Sequence, residues 1–149
     1  NSSLFDTLLG VFQSSLDILE YDGLATLQDT VRAETVSEVL DQAGVLLEGG
    51  YLAAATVMAG GALETHLRHL CDRHAILPAG RGTISKYNDA ISTARKAGNV
   101  VFSLTDAKQV TAWGDMRNEA AHKPAEYDRS KQEVRLMLDG ILAFMTKCP

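Results

Sequence analysis

Two short stretches carry side chains whose types and spacing suit chemistry. In "MRNEAAHKP", residues 116–124, Arg117 and Asn118 are adjacent, His122 falls five positions after the arginine, and Pro124 closes the run. In "HLRHLCDRH", residues 66–74, His66 and His69 stand one helical turn apart and Arg68 precedes His74. A guanidinium grips phosphoryl oxygens bidentately, and an imidazole is the side chain that titrates nearest neutral pH. Together they form a small set able to bind a phosphate and move a proton beside it. Spacing alone says little, because eight arginines and four histidines produce one Arg-x4-His by chance in about one such chain in five.

Other chemistries find less support. His66 and His69 lack a cysteine or acidic third ligand in register, so no zinc site or other metal is expected. Ser14, Ser15 and the remaining hydroxyls have no base at motif spacing. Gly60-Gly61 sits between apolar helical turns rather than after a strand, which does not describe a phosphate loop, and no cofactor is expected. The two cysteines, Cys71 and Cys148, form no CxxC and suit a reducing compartment, with Cys71 a small core residue. The plain alternative for 116–124 is a polar helix end whose charges meet carbonyls, Glu119 or Asp115.

The elements that must position these residues read as helices. Leu4, Leu8, Phe12, Leu16 and Leu19 recur at three- and four-residue steps, predicting an amphipathic helix over about 3–20, capped by Ser2 or Ser3 and ended by Asp22-Gly23. A second helix is expected from Thr30 to Glu48, with Val36, Val39, Leu40, Val45 and Leu47 on its apolar side, stopping at Gly49-Gly50. A third runs from about Tyr51 to Ala75 along Leu52, Ala55, Ala59, Leu63, Leu67 and Leu70. Gly60 and Gly61 inside it each cost roughly 1 kcal/mol against alanine, which points to a close helix crossing or a kink.

"LPAGRGT", residues 77–83, is a loop, and a short helix follows over about Ile84–Ala97, ended by Gly98-Asn99. After a brief extended connection at "VVFS", Ser103 or Thr105 caps the helix that carries the motif, with Val110, Trp113, Met116 and Ala120 on its buried side. Arg117 flanks that stripe, and His122 shares a face with Asn118. Pro124 ends this helix near His122. Ser130 and Glu133 form a capping box for a last helix through Val134, Leu138, Ile141, Leu142 and Met145. Short connections between long amphipathic helices predict an all-α, antiparallel helical bundle in a single domain of 149 residues.

The net charge of −5 disfavours a general nucleic-acid binder. Its distribution is uneven. Residues 1–50 hold nine acidic residues against Arg32 alone, a net of −8, and residues 51–149 hold ten against thirteen basic ones, a net of +3. A polar partner would therefore meet the later part. No apolar run reaches the length of a bilayer and no basic-then-apolar leader opens the chain, so a cytoplasmic protein with no membrane partner is expected. The chain starts at Asn1 rather than Met, as a piece of a longer protein would.

"YLAAATVMAGGALETHLRHLCDR", followed further on by "MRNEAAHKP" and a closing amphipathic helix, resembles the HEPN superfamily (higher eukaryotes and prokaryotes nucleotide-binding). Its motif is Arg-x(4–6)-His, commonly with Asn, Asp or His directly after the arginine. The resemblance covers about residues 35–147 and leaves the leading helix outside. It implies a metal-independent endoribonuclease without cofactor, acting as a toxin or defence effector, whose arginine and histidine meet at the interface of a homodimer.

On that resemblance Arg117 binds the phosphate of an RNA substrate, His122 is the acid-base group, Asn118 orients phosphate or imidazole, and Glu64 positions Arg117. Attack by a ribose 2'-hydroxyl needs a base, an acid and a cation, and a two-fold dimer supplies a second imidazole. The family's tyrosine that an antitoxin modifies would stand two residues after the histidine, where this chain has Pro124, so that regulation is not expected. The alternative is a noncatalytic HEPN interaction or ligand-sensing module attached to a further domain; an antitoxin or a fused domain is the partner expected besides RNA and a second copy.

Overall fold

The computed structural model describes residues 2–149; the side chains of Ser2, Leu19, Tyr21, Asp22 and Ala25 lie outside the described residues, and with them the expected cap at Ser2 and the Leu19 position of the stripe. The described residues are all-helical, without a strand. The helices are α1 (Ser2–Glu48), α2 (Leu52–Arg73), α3 (Ile84–Lys96), α4 (Leu104–His122) and α5 (Lys131–Lys147), with a 3-10 turn at Pro124–Glu126. Among the described residues, no helix is long and apolar enough to cross a membrane.

The expected break at Asp22-Gly23 does not occur, because α1 runs through it. One glycine opposes a helix by only roughly 1 kcal/mol, which good helix formers on both sides offset. Ser3 lies within α1 rather than capping it, and its carbonyl accepts from the Thr7 hydroxyl at 2.8 Å.

Residues 1–35 form one compact unit and residues 36–149 another. In the first, Leu4, Leu8, Phe12 and Leu16 are exposed, from 67% at Leu4 to 44% at Leu16. Within its own unit this stripe has no packing partner, since a lone helix has nothing of its own on which to bury an apolar face.

The second unit holds the core. Its centre is α2, which packs on α3, α4 and α5 and buries Ala55, Ala59, Leu63, Leu67 and Leu70. Each leucine so enclosed contributes about 1.5–3 kcal/mol relative to leaving it in water. Val36, Leu40 and Leu47 of α1 join this core, but Val45 is exposed, on the far side of the turn. In α5, Val134, Leu138 and Ile141 are buried as their spacing implies; Leu142 is exposed, and Met137 and Phe144 take its place inside. The Phe144 ring meets Phe102, His66 and Trp113 edge-on, at centroid distances of 5.4, 5.9 and 6.1 Å.

The helix ends follow from local chemistry. Gly50, at a φ of +83°, makes the left-handed turn after α1 that a side chain would resist. Thr83 caps α3 by accepting from the Lys86 amide at 3.3 Å. Ser103, not Thr105, caps α4, in a reciprocal box with Asp106, and Ser130 with Glu133 does the same for α5. These caps fix where α3, α4 and α5 begin.

Candidate functional site

Glu64, Arg117, Asn118 and His122 line one cleft of about 350 Å³. Along α4, Thr111, Asp115, Asn118 and His122 face it at steps of four, three and four residues, so one helical face supplies them. On α3 the contributing face carries Ser85, Asn88 and Asp89. Sequence spacing put Asn118 and His122 on a common face; the cleft adds Glu64 from α2 and the whole wall from α3.

Arg117 is placed by a glycine. A Cβ on Gly60 would lie 2.8 Å from the Arg117 Cβ and closer still to its Cγ, so the arginine stem crosses α2 where no side chain stands. The helical penalty of Gly60 thus has a close crossing as its reason, and no kink is needed. Gly61 is different, with open space around the site of a Cβ. Beyond the crossing, Arg117 Nη1 donates to Asn118 Oδ1 at 3.3 Å, and Nε is buried with no partner.

Among the described residues no carboxylate forms an ion pair with Arg117, although Glu64 and Asp115 share its cleft. The contacts that hold Arg117 are the crossing over Gly60 and the bond to the Asn118 carbonyl. Glu119, the other acidic neighbour, is occupied elsewhere. Its carboxylate accepts from Arg129 Nε at 3.1 Å and Nη2 at 2.9 Å, and Arg129 also reaches Glu133 at 3.3 Å. Hydrogen bonds from Arg129 hold the Glu119 carboxyl below the usual range. This network ties the end of α4 to the start of α5.

His122 is the last residue of α4 and is exposed. The chain turns immediately after it through Pro124–Glu126, and Tyr127 anchors that turn to α2. Thr56 donates its hydroxyl hydrogen to the Leu52 carbonyl at 2.9 Å, so at the 2.9 Å contact between Thr56 and Tyr127 the tyrosine hydroxyl is the donor. His122 therefore leaves α4 from a braced end, while its own ring stays accessible.

Asn88, Thr111 and Asp89 also line the cleft without being marked by the motif, as does Asp115, which the sequence offered only as a charge partner at the helix end. Only one signal was available: Asn88 is a polar residue among the buried positions of α3, where an asparagine needs partners. With Glu64, the cleft carries three carboxylates against the single guanidinium of Arg117. Among the described residues, no three His, Cys, Asp or Glu side chains are grouped to hold a metal ion.

In the rival stretch, His66 and Cys71 are structural. His66 is buried, its Nε2 is 2.7 Å from the Cys148 carbonyl, and burial pushes its pKa below the ordinary 6.5. Burial first, and Asp72 second, raise the Cys71 thiol to about 11, so it is inert core. A larger groove of about 570 Å³ lies between α4 and α5, and its charged residues are committed. There Lys147 holds Asp106 at 2.8 Å and Glu133 closes its capping box. Arg117, Asn118 and His122 all line the smaller cleft.

No protein-family model, no curated protein and no solved structure matches the chain.

Proposed function

We propose that the chain is a HEPN-type endoribonuclease acting on single-stranded RNA at the cleft between α3 and α4. The observation that carries this reading is that Arg117, Asn118 and His122 line one cleft, with Arg117 free of carboxylate ion pairs among the described residues and seated over Gly60. The guanidinium binds the phosphoryl oxygens of the scissile linkage and stabilises the charge that builds on them. His122 transfers the proton, either taking it from the attacking 2'-hydroxyl or giving it to the departing 5'-oxygen. Asn118 fixes the plane of the guanidinium by accepting from Nη1.

Both proton transfers need a group, and one chain brings one such imidazole to its cleft. A two-fold dimer supplies the second, so the active species is a homodimer. Such an enzyme suits a toxin or defence role in the cytoplasm, held in check by an antitoxin or a further domain.

The test is incubation of the purified protein with mixed RNA in EDTA, beside His122→Ala and Arg117→Ala. Cleavage by the parent alone supports the reading, and cleavage surviving both substitutions removes it. A second reading, a noncatalytic nucleotide-sensing module, draws on the three carboxylates that outnumber Arg117 in the cleft. It predicts nucleotide binding with no RNA cleavage at all.

A further inference from the structure

In the unit of residues 1–35, the eight large apolar side chains from Leu4 to Ile18 are each between 44% and 67% exposed. α1 is helical throughout this span, so successive side chains step round it by about 100°. On that step the eight fill one half of the circumference, with Leu9 at one edge and Ile18 at the other. Asp6 and Asp17, the only charged residues from 3 to 18, stand on the opposite half. Ser15 is the one polar residue inside the apolar half, and its hydroxyl donates to the Val11 carbonyl at 2.8 Å. Its hydrogen is thus already placed within the helix.

At these exposures the eight side chains leave roughly 800 Å² of apolar surface in water, more than the patch a monomer ordinarily carries and about the share each partner gives to a standard interface. Three occupants could cover such a face: a bilayer surface, a different protein or a second copy. Membrane-surface helices carry lysine and arginine on the polar side to meet anionic headgroups, whereas residues 1–31 contain neither. A different partner is selected by charges set against its own, and this half presents none. Against a copy of itself the face is self-complementary: apolar meets apolar, and the like charges of Asp6 and Asp17 point away from the seam.

We propose that the apolar half of residues 4–18 is a self-association surface, occupied by the same face of a second copy of this chain. The surface is separate from the cleft and does not depend on whether the cleft cuts RNA. It also has an end. Leu24, Leu27 and Val31 are exposed as well, but the helical step puts them on the side of Asp6 and Asp17. A straight partner that covers residues 4–18 leaves these three uncovered.

The experiment is sedimentation equilibrium of the full chain, in which mass against concentration gives the association constant. The expected result for the parent is a mass at least twice that of one chain. Phe12→Glu, in the middle of the face, should weaken association about 100-fold or more, because pairing would bury a carboxylate without a partner. Phe12 lies outside the buried core of the chain, so folding of that core is not at stake. Leu27→Glu makes the same kind of change on the other side of the helix and should leave association within about twofold of the parent.

A parent that stays monomeric up to about 100 μM would overturn the proposal, and binding of that monomer to phosphatidylserine vesicles would identify a bilayer as the occupant instead. An association unchanged in Phe12→Glu would assign pairing to residues 36–149 and overturn it equally. So would an equal loss in Leu27→Glu, which would show that the apolar half of residues 4–18 is not the seam.

Discussion

The stem of Arg117 on α4 passes over Gly60 on α2 so closely that a Cβ there would lie 2.8 Å from the arginine Cβ. This contact joins the energetics of the bundle to the chemistry of the cleft. Substituting Gly60 by alanine gains roughly 1 kcal/mol of helix propensity but forces the overpacking penalty of about 1–3 kcal/mol. Gly60→Ala should lower stability in urea denaturation and displace Arg117, with RNA cleavage reduced. Gly61→Ala, in open space on an exposed face, should raise stability by roughly 0.5–1 kcal/mol and leave cleavage unchanged. Equal behaviour of the two variants would contradict the crossing.

Arg117→Lys keeps the charge and the aliphatic stem but loses the planar fork. If the guanidinium stabilises the phosphoryl oxygens, single-turnover cleavage should fall by roughly 10²-fold with the folding midpoint little changed. Full activity in the lysine variant would show that charge alone suffices.

His66 makes stability depend on pH within a defined window. Burial lowers its folded pKa below 6.5, so the unfolded chain binds the proton first. Its contribution is complete above about pH 6.5 and is lost as pH falls from there through the folded value. Urea denaturation between about pH 5 and 7 should show stability rising with pH. His66→Gln should flatten that slope; an unchanged slope would place its origin in another group.

Three carboxylates share the cleft with Arg117, so attraction for the RNA backbone should be confined to the phosphate that the guanidinium touches. Single strands lose binding with a log-log salt slope of roughly 0.7 per phosphate neutralised. Fluorescence anisotropy with a short RNA should give a slope of about 1 or less per cleft between about 50 and 200 mM salt. A slope several times steeper would reveal a basic path outside the cleft.

Local signals in the sequence were strong where the physics is local. The box of Ser130 and Glu133 and the stop imposed by Pro124 depend on residues three or fewer apart, and α5 begins and α4 ends where those residues put them. The common face of Asn118 and His122 follows in the same way from helical period. Asp22-Gly23 is a turn signal by local propensity alone, and the helix-forming residues on either side carry α1 through it. Gly60 was legible as an anomaly, but its partner lies 57 positions on, which periodicity does not encode. Asn88 stands out as a polar residue among the buried positions of α3, but only the packing of α3 on α4 gives its amide N–H groups two acceptors and leaves its carbonyl none.

The central claim is that His122 moves a proton while a 2'-hydroxyl attacks the phosphate held by Arg117. Mass spectrometry of the ends left on a defined RNA tests this most directly, with parent and His122→Ala side by side in EDTA. The account predicts 2',3'-cyclic phosphate and 5'-hydroxyl ends from the parent and intact RNA from the variant. Ends bearing a 5'-phosphate, or the same cleavage by His122→Ala, would contradict it.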